Sequence, residues 1–239
     1  MTTGQTILVV EDQPKLARLL KLSLESEGYH VDIVGNGRAA LQSFSKRLPD
    51  LVILDLMLPG DLDGYQVCQS IRSVSDVPVI MLTGRARESD KLHGFGVGAD
   101  DYVTKPFSVL ELQARVKAVL NRVRGADTGV GGIRLTLGDL ELDCLARRVY
   151  RAGEEVHLTP TEYEVLHQLA LNAGKVLVHE DLLTKVWGPE YRDEYQYLRN
   201  YISNLRKKLE PDPAKPTYIL SKPGIGYYMD HHPGNQPNR

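Results

Sequence analysis

The sequence predicts an α/β domain with a doubly wound, five-stranded parallel sheet, followed by a smaller α+β domain built around a helix-turn-helix. Three observations carry this. Short apolar strands alternate with amphipathic helices over the first half, the pattern of a parallel sheet covered on both faces. The alternation stops near Arg124, in a run of small residues, GADTGVGG, that reads as a linker. Beyond it the order changes to strands first and helices afterwards.

In the first half, strands are predicted at 7–10, 30–34, 51–54, 79–82 and 102–104. Pro14, placed after Asp12, opens the first helix, because its fixed φ suits a first turn. Ser108 and Glu111 form a capping box for a helix running to about Arg122. In the second half, strands are expected at 135–137, 140–142, 148–150 and 156–158. Thr159, Pro160 and Glu162 then combine an N-cap, a first-turn proline and a capping box. Helices follow at 160–172, 179–186 and 195–209. A hairpin over 218–228 turns at Pro223-Gly224-Ile225-Gly226. The expected organisation is a first domain at 5–123, a flexible linker at 124–132, a second domain at 133–230 and a disordered tail at 231–239.

Composition narrows the function classes. The 239 residues suit two domains, each large enough for its own core. The net charge of −2 means that any DNA contact must come from a local basic patch. Cys68 and Cys144 fall in different halves without metal-ligand spacing and read as reduced thiols. The N-terminus lacks the basic and apolar regions of a signal peptide. No apolar run reaches the ~18 residues of a membrane span. A cytoplasmic protein is expected.

The chemistry of the first half lies at its strand ends. Ligands of parallel α/β sheets bind beyond the carboxyl ends of the strands. There the sequence places Glu11 and Asp12, Asp55, Thr83 and Lys105. Singly, such residues are loop positions or helix caps; together they put three carboxylates, a hydroxyl and an ammonium on one rim. Crowded carboxylates need a cation, and all-oxygen ligands favour Mg²⁺.

The strings ILVVED, DLVILDLMLPG, VPVIMLTG and GADDYVTKPF, in that order, make residues 5–122 resemble a CheY-type receiver domain, a flavodoxin-like fold. The resemblance implies that Asp55 accepts a phosphoryl group from a sensor histidine kinase. It implies Mg²⁺ held by Asp12, Asp55 and the Met57 carbonyl, with Glu11 acting through water. Lys105, after a cis peptide bond to Pro106, would pair with the phosphoryl oxygens, and Thr83 and Tyr102 would form the switch pair. It further implies self-phosphotransfer and self-dephosphorylation as the only catalysis. A homodimer of the phosphorylated form is implied through Lys91, Leu92, Phe95, Asp100, Asp101, Glu111, Ala114, Arg115 and Arg122; the plainer reading of these charges is pairing within one chain. One departure stands out: the run from Asp55 to Asp63-Gly64 is one residue longer than the family's pattern, beside the phosphate pocket.

In the last predicted helix, Leu198, Ile202, Leu205 and Leu209 recur at helical spacing, and Arg199, Asn200, Ser203, Asn204, Arg206 and Lys207 lie off that stripe. Such a face is either solvated or a DNA reader, since Arg and Asn suit guanine and adenine edges. The strings LTPTEYEVLHQLALNAGKV, EDLLTKVWG, YISNLRKKLEPDP and YILSKPGIGYYM make residues 133–229 resemble the winged-helix effector domain of the OmpR/PhoB class. This implies promoter DNA as ligand, with the helix in the major groove and the wing, with Lys222, at the minor groove. Asn204 and Arg206, near the helix centre, are then expected at base edges, and Lys207 and Lys208, closer to its C-terminal end, at phosphates. RNA polymerase is an implied partner through the loop at 188–194. The stretch from VWGPEY to NLRKKLEP is similar to the branch that regulates potassium-transport operons. In this chain Pro223, Tyr228 and Asn204 stand where relatives often carry arginine.

Two rivals differ in kind. An aspartyl phosphohydrolase needs a second acid two residues after the nucleophile, where this chain has Met57. A phosphorylation-independent winged-helix regulator with a vestigial receiver would not need the full set of acids, threonine and lysine.

Overall fold

A computed structural model describes residues 4–84, 98–124 and 134–230. Contacts divide the chain into two units between Arg124 and Gly125. Element labels below number the described elements in chain order.

The first unit runs β1 (Thr6–Val10), α1 (Pro14–Glu25), β2 (His30–Val34), α2 (Gly37–Lys46), β3 (Leu51–Asp55), α3 (Gly64–Arg72), β4 (Val79–Thr83), β5 (Asp101–Thr104) and α4 (Val109–Arg124). All five strands are parallel, in the order β2-β1-β3-β4-β5. Every residue of β1, β3 and β4 is buried, as expected of strands covered on both faces. Ile7, Val9, Ile53, Ile80 and Leu82 pack with Leu20 and Leu24 of α1 and Leu112 and Val116 of α4. The chain leaves β1 for one side of the sheet and β3 for the other, so the crevice for a ligand lies at their carboxyl ends.

The strands extend slightly past the predicted ones. β3 includes Asp55 and β4 includes Thr83, because Asp55 pairs in register with Leu82 and Thr83 with Thr104. The polar residues of the rim are thus the last rungs of the ladder. The longer loop after Asp55 leaves that rung in place. A Cβ on Gly64 would lie 2.3 Å from the Asp55 carbonyl oxygen, so only glycine permits this approach. The chain is back against β3 at Gly64, with the added residue taken up earlier in the turn. There Asp61 pairs with Arg38 of α2 at 2.6 Å in an exposed bridge.

The second unit opens with an antiparallel sheet, β6 (Arg134–Leu137), β7 (Leu140–Asp143), β8 (Arg148–Arg151) and β9 (Glu154–Val156). The last strand lies earlier than the predicted 156–158. Ala152 and Gly153 both take positive φ, +50° and +83°, and form the two-residue turn that pairs Arg151 with Glu154. Then follow α5 (Pro160–Leu171), β10 (Leu177–Val178), α6 (His179–Trp187), a 3₁₀ turn (Pro189–Tyr191), α7 (Tyr195–Leu209), β11 (Ile219–Lys222) and β12 (Gly226–Met229). The Thr159–Glu162 capping box is present in both directions. The hairpin gains a third strand, in the order β10-β12-β11. Gly226 makes this fit: a Cβ there would come within 1.9 Å of the Leu177 carbonyl oxygen. The buried face of α7 is wider than the leucine stripe and includes Tyr197 and Tyr201, which pack on Tyr191 and Trp187.

Candidate functional site

At the carboxyl end of the parallel sheet, Lys105 reaches across two strands. Its Nζ lies 2.7 Å from Glu11 Oε2 and 2.7 Å from Asp55 Oδ2. Glu11 and Asp55 are buried, Lys105 is half-buried and Asp12 is exposed. Backbone amides orient both buried carboxylates: Gln13 donates to Glu11 Oε1 at 3.2 Å, and Met57 donates to Asp55 Oδ1 at 3.1 Å. Burial raises the Glu11 carboxyl above its ordinary range, against the Lys105 bond, and the neighbouring Asp55 charge adds to the rise. For Lys105 burial opposes the charge, but the bonds to Asp55 and Glu11 outweigh it and hold the ammonium above its ordinary value.

One oxygen each from Glu11, Asp12 and Asp55 fall within 4.8 Å of one another. This is an all-oxygen donor set, open on the Asp12 side, and it fits a hard divalent cation that keeps part of its water. Thr83 ends β4, and its carbonyl accepts from the Lys105 amide. Tyr102 pairs in register with Met81, which puts it on the sheet face that carries Thr83. The Tyr102 ring is buried. The Lys105–Pro106 peptide bond is cis.

The charges assigned to a dimer surface have partners within the chain. Asp100 is buried and bridges to Arg72 at 2.7 Å, while also accepting from the Val79 amide. Asp101 is buried, accepts from the Tyr102 amide and lies 3.2 Å from Arg115. Arg115 also holds Glu111, one helical turn away, at 3.0 Å. Arg122 is buried and Ala114 is exposed. Lys91, Leu92 and Phe95 lie outside the described residues, as do the expected linker and tail.

On α7 the basic and amide side chains divide three ways. Arg199, Ser203 and Lys207 are exposed, as is Lys222 on the wing. Asn204 is half-buried. The Asn200 side-chain nitrogen is buried without a hydrogen-bond partner among the described residues. Arg206 turns onto the wing strand β11: Nε and Nη2 donate to the Ile219 carbonyl at 3.0 and 2.7 Å, and Nη2 donates to Ser221 Oγ at 2.9 Å. Lys208 turns back to α5, 2.6 Å from the buried Glu162 and 3.0 Å from the His157 carbonyl. In this structure neither projects freely: both make bonds that join α7 to its neighbours, and the expected roles of Arg206 at bases and Lys208 at phosphates would require these bonds to be exchanged on DNA binding.

Three residues absent from the sequence reading shape these sites. Arg72 anchors Asp100 and also donates to the Gly98 carbonyl at 2.7 Å. Glu210, buried just after α7, accepts from the amides of Thr217, Tyr218 and Ile219 and so fixes the entry to the wing. His179, at the start of α6, packs edge-on against Tyr195 and Tyr227. The acid before Pro211 was the only local sign of the second; the others depend on distant partners. Both cysteines are free, and burial raises both thiols, that of Cys68 to about 12.

Comparison with known proteins agrees with this geometry. Residues 7–117 match the response regulator receiver domain family. Residues 153–229 match the family described as transcriptional regulatory protein, C terminal. The chain is 44% identical over 221 residues to the KDP operon transcriptional regulatory protein KdpE of Escherichia coli (strain K12), covering 92% of this chain and 97% of that one. Among solved structures, a mutant of RitR superposes with TM-score 0.78 at 30% identity, covering 95% of this chain and 99% of that one. The response regulator DrrB, a Thermotoga maritima OmpR/PhoB homologue, gives 0.52 at 35% identity over 95% of this chain and all of its own.

Proposed function

The chain belongs to the two-component response regulators of the OmpR/PhoB class, a phosphorylation-dependent transcriptional regulator that binds DNA, and on that premise we propose that Asp55 is its phospho-acceptor. The observation that carries the assignment is the buried Asp55 carboxylate, one oxygen on Lys105 and the other on the Met57 amide.

In transfer from a kinase phosphohistidine, an Asp55 oxygen attacks phosphorus, the P–N bond breaks and the acyl phosphate forms. The electron pair of the broken bond returns to the imidazole. Mg²⁺ held by Asp12, Asp55 and the Met57 carbonyl, with Glu11 acting through water, would neutralise charge on the phosphoryl group. Lys105, kept protonated by its two carboxylates, would follow the new phosphoryl oxygens and release Glu11. Water attack on phosphorus restores the carboxylate. Thr83, drawn toward the phosphoryl group, would report its presence to Tyr102 on the same sheet face.

Dimerisation of the phosphorylated form is part of this reading. The Asp101–Arg115 bridge within the chain would be exchanged for the same bridge across a two-fold axis, a change that requires only a modest bias between two states. Glu111 and Ala114 are already accessible. RNA polymerase is proposed to meet the loop at 188–194, and the cytoplasm is the proposed location; among the described residues, no helix is long and apolar enough to cross a membrane.

The test is acetyl phosphate with Mg²⁺, read by intact mass, sedimentation and DNA binding. Wild type should gain one phosphoryl group, shift toward a dimer and bind its site more tightly. Asp55→Asn should do none of these; labelling of that variant to the same extent would move the acceptor elsewhere. DNA binding that does not respond to phosphorylation would favour the vestigial-receiver reading.

A further inference from the structure

The loop from Asp55 to Gly64 holds the residue by which this chain exceeds the family's pattern, and nothing in the phosphoryl transfer itself requires it. The loop is a closed excursion. It leaves β3 beside Asp55 and returns at Gly64, whose amide donates to the Leu56 carbonyl at 3.2 Å. Residues 57–63 lie beyond that bond, and Met57 at their start is 61% exposed. Yet the site depends on Met57: its amide donates to Asp55 Oδ1 at 3.1 Å, and its carbonyl is the proposed Mg²⁺ ligand. An excursion of this length, closed only at its base, has many conformations. The Met57 carbonyl is aimed only if something selects one of them.

Two contacts with α2 make that selection. Arg38 Nη2 lies 2.6 Å from Asp61 Oδ2. A Cβ on Gly37 would come within 2.8 Å of both the Leu62 Cβ and the Leu62 carbonyl oxygen, so Leu62 rests directly on the first turn of the helix. The start of α2 is itself tied to the acidic rim. Asn36 caps it, accepting from the Ala39 amide at 2.9 Å. Just before it, the Glu11 amide donates to the Val34 carbonyl at 3.0 Å, and a Cβ on Gly35 would lie 3.9 Å from the Glu11 carbonyl oxygen. The rim is thus a ring of contacts. Lys105 closes it between Glu11 and Asp55, and α2 with the loop closes it on the other side.

We propose that Arg38 and Asp61 are positioning residues for the metal side of the site: their bridge fastens the long loop to α2 and holds the Met57 carbonyl where Mg²⁺ needs it. The inference rests on the reading of Asp55 and Met57 as Mg²⁺ ligands made above. Arg38 holds the Asp61 carboxyl below its ordinary range, so both charges persist at neutral pH. The bridge is exposed at both ends, and exposed pairs add little to the stability of a fold. Its loss should therefore show in the loop and in Mg²⁺ binding rather than in global unfolding.

The discriminating variant is Arg38→Gln. It removes a positive charge from the rim, which by its field alone should tighten Mg²⁺ binding. If the bridge positions Met57, the same variant should weaken it. The experiment uses the full-length protein with Mg²⁺ alone, titrated by calorimetry, and then acetyl phosphate labelling at increasing Mg²⁺. Arg38→Gln and Asp61→Asn should each bind Mg²⁺ roughly two- to five-fold more weakly, the range open to one exposed bridge. Labelling should need correspondingly more Mg²⁺ for its half-maximal rate, and the difference from wild type should shrink as Mg²⁺ saturates. In the Mg²⁺-free protein the Met57 amide should exchange its hydrogen faster by a similar factor in both variants, with thermal unfolding unchanged. Arg38→Lys keeps an ion pair and should recover most of the loss. Mg²⁺ binding that is unchanged or tighter in Arg38→Gln, or a Met57 amide that exchanges as in wild type, would overturn the proposal. An Asp55→Asn variant that binds Mg²⁺ as tightly as wild type would instead remove the ligand reading beneath it, and the proposal with it.

Discussion

The acidic rim of the first domain and the basic face of α7 are both groups of charged side chains on regular elements, but they are organised in opposite ways. At the rim, Glu11, Asp55 and Lys105 arrive from three strands and converge on one point. On α7, residues a few positions apart diverge: Arg199 faces a cavity, Arg206 grips the wing and Lys208 grips α5. The difference follows from the elements themselves. Adjacent parallel strands end side by side, about 5 Å apart, so residues at their ends are neighbours whatever their distance in sequence. Successive helix residues fan out around the axis, and each meets whatever element lies on its side. Charge at strand ends therefore marks a shared site, whereas charge on a helix has to be assigned one residue at a time.

If the rim is one cooperative site, removing its cation should have the largest effect of any conservative change outside Asp55. Lys105→Met leaves two buried carboxylates without their shared partner. Phosphorylation by acetyl phosphate should slow by roughly 10²–10³-fold, the range seen when one preorganised charge stabiliser is lost. Mg²⁺ titration by calorimetry should show tighter binding, because the competing ammonium is gone. A wild-type rate in this variant would show that Lys105 only fills the pocket.

The second domain holds its largest single-residue effect away from the DNA face. Glu210 is buried and accepts from three consecutive amides, those of Thr217, Tyr218 and Ile219. Glu210→Ala strands those donors at the start of the wing and should destabilise the domain by about 2–4 kcal/mol. Glu210→Gln keeps one acceptor oxygen and should recover part of this. Chemical denaturation followed by Trp187 fluorescence reads both, since Trp187 is buried in the same domain. An unfolding midpoint unchanged in the alanine variant would mean that the wing is held by its ladder alone.

These contrasts explain what could be read from sequence. The five parallel strands were legible because each is a short, largely apolar run, and the site was legible because its residues directly follow those runs. Thr159, Pro160 and Glu162 fixed the start of α5 because a capping box is a local interaction. β10 was not legible: two residues become a strand only by pairing with β12, almost fifty positions later. The partners of Arg72, Arg206 and Lys208 were hidden for the same reason. Helical periodicity gives the face of a side chain but not the element that will stand opposite it. The aromatic part of the α7 core, Tyr197 and Tyr201, was missed because a tyrosine is equally at home on a surface.

Lys208 separates exposure from availability at smaller scale. Its ammonium bridges the buried Glu162 while that carboxylate also caps the Thr159 amide. Lys208→Met keeps the aliphatic stem and removes the charge. It should lower stability by about 1 kcal/mol, the half-exposed lysine being partly screened by solvent. The salt dependence of DNA binding should stay that of wild type. A slope reduced by one unit with unchanged stability would return Lys208 to the phosphates.

Arg206 provides the finest test of the divergence along α7, because base reading and wing positioning both predict lost affinity. Its guanidinium makes two bonds to the Ile219 carbonyl and one to Ser221, so in this structure it sets the distance between the recognition helix and β11. Arg206→Ala should let the wing shift and weaken binding by about 1 kcal/mol, most of it through contacts that the wing makes. The decisive quantity is coupling. If Arg206 acts through the wing, its loss and the loss of Lys222 remove the same contacts. The double variant Arg206→Ala with Lys222→Ala should then be less impaired than the sum of the singles, with a coupling of at least about 0.5 kcal/mol. Arg206→Ala combined with Ser203→Ala, which leaves the wing alone, should be additive. Arg206→Lys should not restore the coupling, because a lysine cannot span the carbonyl and the hydroxyl with one planar group. Binding isotherms on a duplex selected by the protein from random sequence, with a panel of single base-pair changes, measure all of these. If Arg206→Ala flattened preference at a base pair under the helix and combined additively with Lys222→Ala, the guanidinium would have to leave Ile219 on binding, and Arg206 would be a base reader after all.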